Sequence, residues 1–129
     1  MRYIAFVGLL LALVFNSRAQ YCTTATSTTA ITPTSTAQTT ATFPAGTAPV
    51  FTFTGTAGCT YTFTTCGLSS VDTYLRIYNS SVALVQGWDD QCGLQTNAIW
   101  TCPTTASYSI QLSQYVCGPL AGSATMSYS

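Results

Sequence analysis

The acidic side chains of this chain lie in one short stretch. Asp72, Asp89 and Asp90 are its three carboxylates, and Arg76 lies among them. Clustered carboxylates can bind a hard cation such as calcium, accept hydrogen bonds from turn amides, or pair with an arginine. A complete calcium loop would offer more oxygen ligands at close spacing. The sequence therefore favours turn capping over a calcium site and leaves both open.

A β-hairpin is expected to gather these carboxylates. Residues 73–78 and 82–88 read as two strands that close at residues 79–81. Such a hairpin would bring Asp72 close to the other two aspartates at one edge of the sheet.

The same hairpin carries candidate surface sites. Trp88 could form an exposed aromatic platform for a sugar or a protein together with Tyr74, Tyr78 and Tyr115, although aromatic side chains more often cover the rim of a core. Asn79 begins an N-glycosylation sequon on the predicted turn.

The inventory of reactive side chains argues against catalysis. The chain contains no histidine, no glutamate and no lysine, which excludes a Ser-His-Asp triad, a Cys-His pair and a Schiff-base lysine. Two carboxylates can hydrolyse glycosides, but they need a substrate cleft that so small a domain would not readily build. We expect no enzyme activity and no cofactor, a calcium ion apart.

The N-terminus predicts export. Residues 1–19 have a basic second residue, an apolar run and small residues near a cleavage point after Ala19, as in a secretory signal peptide. The run is too short to span a bilayer. The product would be secreted or at the cell surface without a membrane span, and its formal charge of −2, from Arg76 and three aspartates, does not suit nucleic acid.

The cysteines predict a disulfide framework. An oxidising compartment favours three bridges among six cysteines, and the lack of histidine argues against a zinc site. Two cysteines bracket the hairpin, each followed by glycine, and are paired first. The preferred bridges are Cys66–Cys92, Cys59–Cys102 and Cys22–Cys117.

The rest of the chain reads as short strands. Residues 20–45 are rich in Thr and Ser and could be edge strands or a glycosylated stalk, whereas residues 46–129 alternate apolar and hydroxyl side chains between turn residues. This pattern predicts an all-β, antiparallel, jelly-roll-like β-sandwich stapled by disulfides. The predicted core is Phe53, Tyr61, Phe63, Leu75, Ile77, Leu84, Ile99, Trp100, Tyr108, Ile110 and Leu112.

Four motifs in order resemble a known module. They are a Gly before a Tyr strand (residues 58–67), Asp-Thr-Tyr-Leu-Arg-Ile-Tyr (72–78), Trp-Asp-Asp-Gln-Cys-Gly (88–93) and Tyr-Ser-Ile (108–110). As a set they resemble the bacterial pre-peptidase C-terminal domain, in a cysteine-bearing version like that of secreted Bacteroidetes-type proteins. The resemblance implies a jelly-roll-like sandwich, usually an accessory module of exported enzymes and in some relatives a collagen- or calcium-binding unit.

The expected function is binding or assembly outside the cell. Low charge and exposed edges suit a structural or adhesive protein, self-assembling into a fibre or matrix when residues 23–42 fill a groove of a neighbour. A monomeric carbohydrate- or protein-binding module would instead need an exposed aromatic row around Trp88. A small inhibitor or effector would need a rigid protruding loop.

Overall fold

A computed structural model describes residues 20–129. The predicted signal peptide, residues 1–19, lies outside the described residues. In the described part the strands are β1 (Ser27–Ala30), β2 (Gln38–Thr39), β3 (Pro49–Gly55), β4 (Thr60–Thr64), β5 (Tyr74–Asn79), β6 (Leu84–Asp89), β7 (Asn97–Thr101), β8 (Ala106–Ser113) and β9 (Ser127–Tyr128).

The strands form two sheets. Sheet A has the order β1-β3-β8-β5-β6 and sheet B the order β2-β9-β4-β7. The β1–β3 pair is parallel and the other pairs are antiparallel. The prediction of an all-β sandwich is confirmed. The turn at residues 56–59 joins a strand of sheet A to a strand of sheet B.

Period-2 alternation builds the core, because successive side chains of a strand point to opposite faces. Inward-facing aromatic and aliphatic side chains from both sheets meet between the layers. The buried cluster consists of Phe51, Phe53, Tyr61, Phe63, Leu75, Ile77, Ala98, Trp100, Cys102, Tyr108, Ile110, Leu112, Leu120, Ala124 and Met126.

The core prediction is wrong for Leu84 and Ile99, whose side chains are 60% and 58% exposed. On β7 the inward position belongs to Trp100, so its neighbour Ile99 faces solvent. The pairing of β6 with β5 is irregular, because Ile77 lies opposite Gln86 whereas the next residue, Tyr78, lies opposite Leu84. Such a bulge re-aims the side chains beyond it, and Leu84 consequently lies opposite Tyr78.

The Thr- and Ser-rich segment contributes one edge strand to each sheet. β1 covers the edge of β3 in sheet A, and β2 pairs with β9 in sheet B. Every residue of β1 is exposed, which explains why β-branched threonine suits this position. The segment therefore belongs to both sheets.

The third predicted disulfide is absent. Cys59 is an exposed thiol and Cys102 a buried one. Gly58, with φ of 81°, donates its N–H to the Cys102 carbonyl while Cys102 donates to the carbonyl of Cys59, the pattern of a G1 bulge. The Cys102 Sγ points inward and contacts the Thr104 carbonyl at 3.0 Å. The two sulfurs therefore form no bond, although the backbones of Cys59 and Cys102 are hydrogen-bonded to each other.

Candidate binding end

Three loops meet at one end of the sandwich. Tyr74, at the start of β5, pairs with both Asp89 and Ser113, and Thr64 at the end of β4 pairs with Asn97. This register places loops 65–73, 90–96 and 114–120 together. We call these loops, with Asp89 at the end of β6, the acidic end, because they hold all three aspartates of the chain.

The carboxylates form one cluster, as the hairpin prediction required. One oxygen each from Asp72, Asp89 and Asp90 lies within 4.8 Å of the others. Asp72 Oδ1 and Asp89 Oδ1 are buried and have no hydrogen-bond partner. Turn amides therefore do not cap these two atoms, contrary to the favoured interpretation of the sequence.

The pKa of Asp89 reflects the closeness of the three carboxylates. Burial raises the pKa of the Asp89 carboxyl above its ordinary value, and repulsion from Asp90 and Asp72 raises it further, while Arg76 lowers it. The net shift is upward because desolvation and like charges outweigh one arginine. The ionised cluster is consequently a source of instability unless a cation binds there.

Arg76 does not lie in the cluster. Its side chain is 7% exposed and its guanidinium donates to Ser113 Oγ at 2.8 Å and to the carbonyls of Gln114 and Tyr115 at 3.1 and 2.6 Å. The guanidinium carbon lies 3.9 Å from the ring centroid of Tyr74. The arginine thus holds the loop that follows β8, a role the sequence did not indicate.

Loop 114–120 is held at several points and carries an apolar tip. Tyr115 and Val116 are 61% and 75% exposed. The Gln114 N–H donates to the Gly118 carbonyl at 2.9 Å, and Cys117 is bonded to Cys22. The tip is therefore exposed while its backbone is fixed.

A second disulfide joins the other two loops. Cys66 is bonded to Cys92, the pair that the sequence placed first, and the Cys22–Cys117 bond is likewise the one preferred. Gly67 and Gly93 follow with φ of 70° and 83°, a left-handed conformation that glycine adopts without strain. Each turn ends in a partly exposed leucine, at positions 68 and 94.

A buried threonine network supports these loops. Thr65 and Thr73 share a hydroxyl hydrogen bond of 2.6 Å, the Thr96 N–H donates to Thr65 Oγ1 at 3.0 Å, and Thr96 Oγ1 donates to the Thr73 carbonyl. All three side chains are fully buried. Sequence reasoning missed them, because in a threonine-rich chain nothing distinguishes three buried threonines from the exposed ones.

The predicted aromatic platform does not exist as an exposed row. Trp88 packs against the core, opposite Leu75. Tyr74 and Tyr78 lie on the other face of sheet A, and Tyr78 is 2% exposed beneath the N-terminal segment, where its hydroxyl accepts the Cys22 N–H at 2.9 Å. Sheet parity separates Trp88 from the tyrosines, and burial removes Tyr78. Tyr115 is exposed and its ring centroid lies 5.5 Å from that of Tyr74.

Asn79 lies in the predicted turn, at the far end of the hairpin from the aspartates. Its Oδ1 accepts the N–H groups of Ser81 and Ala83, both at 3.0 Å. This is the local side-chain bonding by which asparagine stabilises a turn. Glycosylation at Asn79 stays a prediction.

The carboxylates of the acidic end have the chemistry of cation ligands. Carboxylate oxygens are the ligands that calcium takes, and two buried, unpartnered oxygens beside a third carboxylate fit a hard cation. No nucleophile with an adjacent base accompanies them in the described part of the chain. Leu68, Leu94, Tyr115 and Val116, on the same three loops, are exposed apolar side chains.

Solved structures resemble the whole sandwich. The chain is similar to the pre-peptidase C-terminal domain of collagenase from Bacillus anthracis, with a TM-score of 0.58 and 13% identity over 79% of this chain and 92% of that one. The fold is that of a pre-peptidase C-terminal domain. The predicted resemblance is thus confirmed for the fold.

A second solved structure is also similar to the chain. It is Aeromonas hydrophila PliG, a periplasmic lysozyme inhibitor of g-type lysozyme, with a TM-score of 0.54 and 14% identity over 80% of this chain and 96% of that one. Both neighbours are non-catalytic domains, and no catalytic family is shown. No family model and no curated protein sequence matches the chain.

Two further observations concern location. The two disulfides indicate a place outside the cytoplasm. Among the described residues, no helix has the length and apolar character needed to cross a membrane.

Proposed function

We propose that this protein is a secreted, non-catalytic binding protein that holds a protein partner with its acidic end. The observation that carries the proposal is the combination of exposed apolar side chains with fixed backbones. Leu68, Leu94, Tyr115 and Val116 are 40%, 54%, 61% and 75% exposed, and both disulfides anchor their loops. A surface fixed before binding avoids the entropy cost of ordering.

Two kinds of support bear on the partner. A rigid protruding loop is what an inhibitor requires, and loop 114–120 exposes Tyr115 and Val116 while Cys117 is bonded to Cys22. The structural neighbour PliG is an inhibitor of g-type lysozyme, so a g-type lysozyme is the first partner to test, and collagen is the second because the other neighbour is a collagenase domain. A glycan site has less support, because Trp88 and Tyr78 are not in an exposed row.

The test compares matched alanine variants of the chain from Gln20 onward. Immobilised g-type lysozyme and collagen are the probes. Tyr115→Ala with Val116→Ala should weaken binding at least about tenfold, as anchor residues do. Leu84→Ala is the control, because Leu84 is 60% exposed outside the acidic end. Absence of wild-type binding to both probes, or equal losses in both variants, would overturn the proposal.

A structural subunit of an extracellular fibre or matrix is the second candidate. The observation that favours it is the N-terminal segment, which lies along the surface of sheet A and covers the edge of β3. A segment of that kind can come from the same chain or from a neighbour.

A further inference from the structure

Two thiols lie side by side at the end of the sandwich opposite the acidic end. Cys59 and Cys102 are the residues next to Thr60 and Thr101, the first pair of the β4–β7 ladder. The Cys102 N–H donates to the Cys59 carbonyl at 2.8 Å. Residues joined in this way across an antiparallel ladder have Cα atoms about 5.5 Å apart, and a disulfide needs a Cα separation of about 4.4–6.8 Å. The two backbones are therefore close enough for a bridge.

Strand alternation places both cysteine side chains on the same side of sheet B. The hydroxyls of Thr60 and Thr101 are hydrogen-bonded to each other at 3.0 Å, and both threonines are exposed. Because successive side chains of a strand point to opposite faces, the cysteines next to them share the inner side. A bridge between Cys59 and Cys102 then requires side-chain rotation and no change in strand pairing.

The two thiols differ in their access to solvent. Cys59 is exposed and lines a pocket of about 380 Å³ together with residues 33–35, Thr60, Tyr61 and Ser129. A pocket of this volume is large enough for a small molecule, and the side chains that line it carry no charge. Cys102 is 1% exposed. Since thiol–disulfide exchange begins at a sulfur that the external disulfide can reach, Cys59 is the attacking thiol of the pair.

The Cys102 thiol has a fitted position while it is reduced. Its Sγ lies 3.0 Å from the Thr104 carbonyl. A Cβ atom at Gly55 would lie 2.7 Å from the same sulfur, so the missing side chain of Gly55 leaves the space that the sulfur occupies. The reduced form is stabilised by this space and contact, and the oxidised form by an S–S bond. A side chain with two such arrangements suits a reversible reaction.

We propose that Cys59 and Cys102 are a redox-active pair that reacts with low-molecular-weight disulfides outside the cytoplasm. The Cys59 sulfur attacks the external disulfide, bonds to one of its halves in the pocket, and displaces the other half as a thiol. The Cys102 sulfur then attacks Cys59 Sγ, forms the Cys59–Cys102 bond and displaces the second half. Two protein thiols are oxidised, one external disulfide is reduced to two thiols, and the two protons pass to the departing thiols. The proposal is independent of partner binding by the acidic end.

Glutathione buffers with an increasing oxidised fraction test the pair. The chain from Gln20, with its other two bridges intact and the pair reduced, is equilibrated in each buffer. Free thiols are then alkylated, and mass spectrometry identifies the disulfide-linked peptides. We expect a Cys59–Cys102 bond in the wild type. The Cys66–Cys92 and Cys22–Cys117 bonds should persist unchanged in the same buffers, which provides a control inside the same molecule.

Single substitutions separate the two steps. Cys102→Ser should stop after the first step and keep one glutathione on Cys59. Cys59→Ser should leave Cys102 as a thiol, because the buried sulfur is out of reach. Gly55→Ala takes the space of the reduced sulfur, so its pair should oxidise at a lower ratio of oxidised to reduced glutathione than the wild-type pair. An unchanged midpoint in Gly55→Ala would contradict the fitted position of Cys102.

Two results for the wild type would overturn the proposal. In one, Cys59 and Cys102 stay thiols in every buffer. In the other, glutathione accumulates on Cys59 as it does in Cys102→Ser, which would show that Cys102 does not displace it. Either result would leave lysozyme or collagen binding by the acidic end unaffected, so that the two proposals fail separately.

Discussion

The two ends of the sandwich are built by different means. At the acidic end two disulfides, a buried arginine and a threonine network fix loops that expose apolar and acidic side chains. At the opposite end, loops 56–59, 80–83 and 102–105 are short turns held by local hydrogen bonds, and Cys59 and Cys102 are thiols. None of the large exposed hydrophobic side chains lies in those three loops.

The difference shows where covalent and buried polar reinforcement is needed. A short turn with glycine or asparagine at the right position holds its own conformation. A longer loop that exposes its hydrophobic residues does not hold its own conformation, because those residues bury little surface that would stabilise it. Cross-links and the Arg76 guanidinium then supply the order that the core cannot provide. The reinforced end is the one that we assign to binding.

The largest effect should come from removing the long-range disulfide. Cys22→Ser with Cys117→Ser opens a loop with a sequence separation of 95, and loop-closure entropy predicts a loss of about 4.7 kcal/mol of unfolding free energy. Cys59→Ser at the opposite end should change stability by less than about 0.5 kcal/mol, because that thiol is exposed and unbonded. Chemical denaturation measures both, and equal losses would erase the contrast between the ends.

Removal of the guanidinium should give the next largest effect. Arg76→Met leaves the carbonyls of Gln114 and Tyr115 without their donor and should cost about 2 kcal/mol. Asn79→Ala, which removes the turn acceptor at the opposite end, should cost about 1 kcal/mol. Thermal unfolding gives the order of the two.

Amide hydrogen exchange shows which backbone segments each of these two substitutions destabilises. Faster exchange in residues 114–118 is expected for Arg76→Met and not for Asn79→Ala. If Asn79→Ala were the more destabilising change, or if exchange in the loop were the same in both variants, Arg76 would not be the residue that fixes the loop.

Calcium should stabilise the acidic end. At ten times its dissociation constant, a cation bound only to the folded state adds about 1.4 kcal/mol. The melting temperature of the wild type should therefore rise in calcium and fall again with chelator. Asp72→Asn with Asp89→Asn should abolish the response. A wild type indifferent to calcium would show that no cation occupies the cluster.

The smallest effect concerns pH. The folded-state pKa of Asp89 is raised, so in calcium-free buffer the folded protein binds the proton more tightly than the unfolded chain does. The contribution of this group to stability is therefore favourable at low pH and is lost as the pH rises through the raised pKa. Asp89→Asn should flatten melting temperature against pH above about 4, the ordinary pKa of aspartate. An unchanged profile would place the titrating group elsewhere.

Sequence reasoning predicted most of the fold. Alternation of Phe and Tyr with Thr determines which faces are buried, and the two glycine-flanked cysteines around the hairpin led to the Cys66–Cys92 pair. It failed at Leu84, because the bulge in β6 changes the face of the sheet on which that side chain lies. It also failed where a distant segment supplies burial, as Tyr21 and Cys22 do for Tyr78.

The candidate site was predicted only in part. The hairpin predicted from the sequence brings the aspartates together, as the structure does, because the pairing of neighbouring strands is determined locally by the sequence. Arg76 lies next to them in sequence, but strand parity places its side chain on the outer face of sheet A. The tip at Tyr115 and Val116 was predicted only in part: the sequence suggested Tyr115 as an exposed aromatic side chain, but the fixed backbone of the loop depends on tertiary contacts.

The central claim is that the loops of the acidic end are ordered before any partner binds. Backbone ¹⁵N relaxation of the free chain from Gln20 tests it most directly, by giving order parameters for residues 66–68, 92–94 and 114–118 beside those of the strands. We predict order parameters of about 0.85, as in rigid backbone. Values below about 0.6 in these loops would contradict a preformed binding surface.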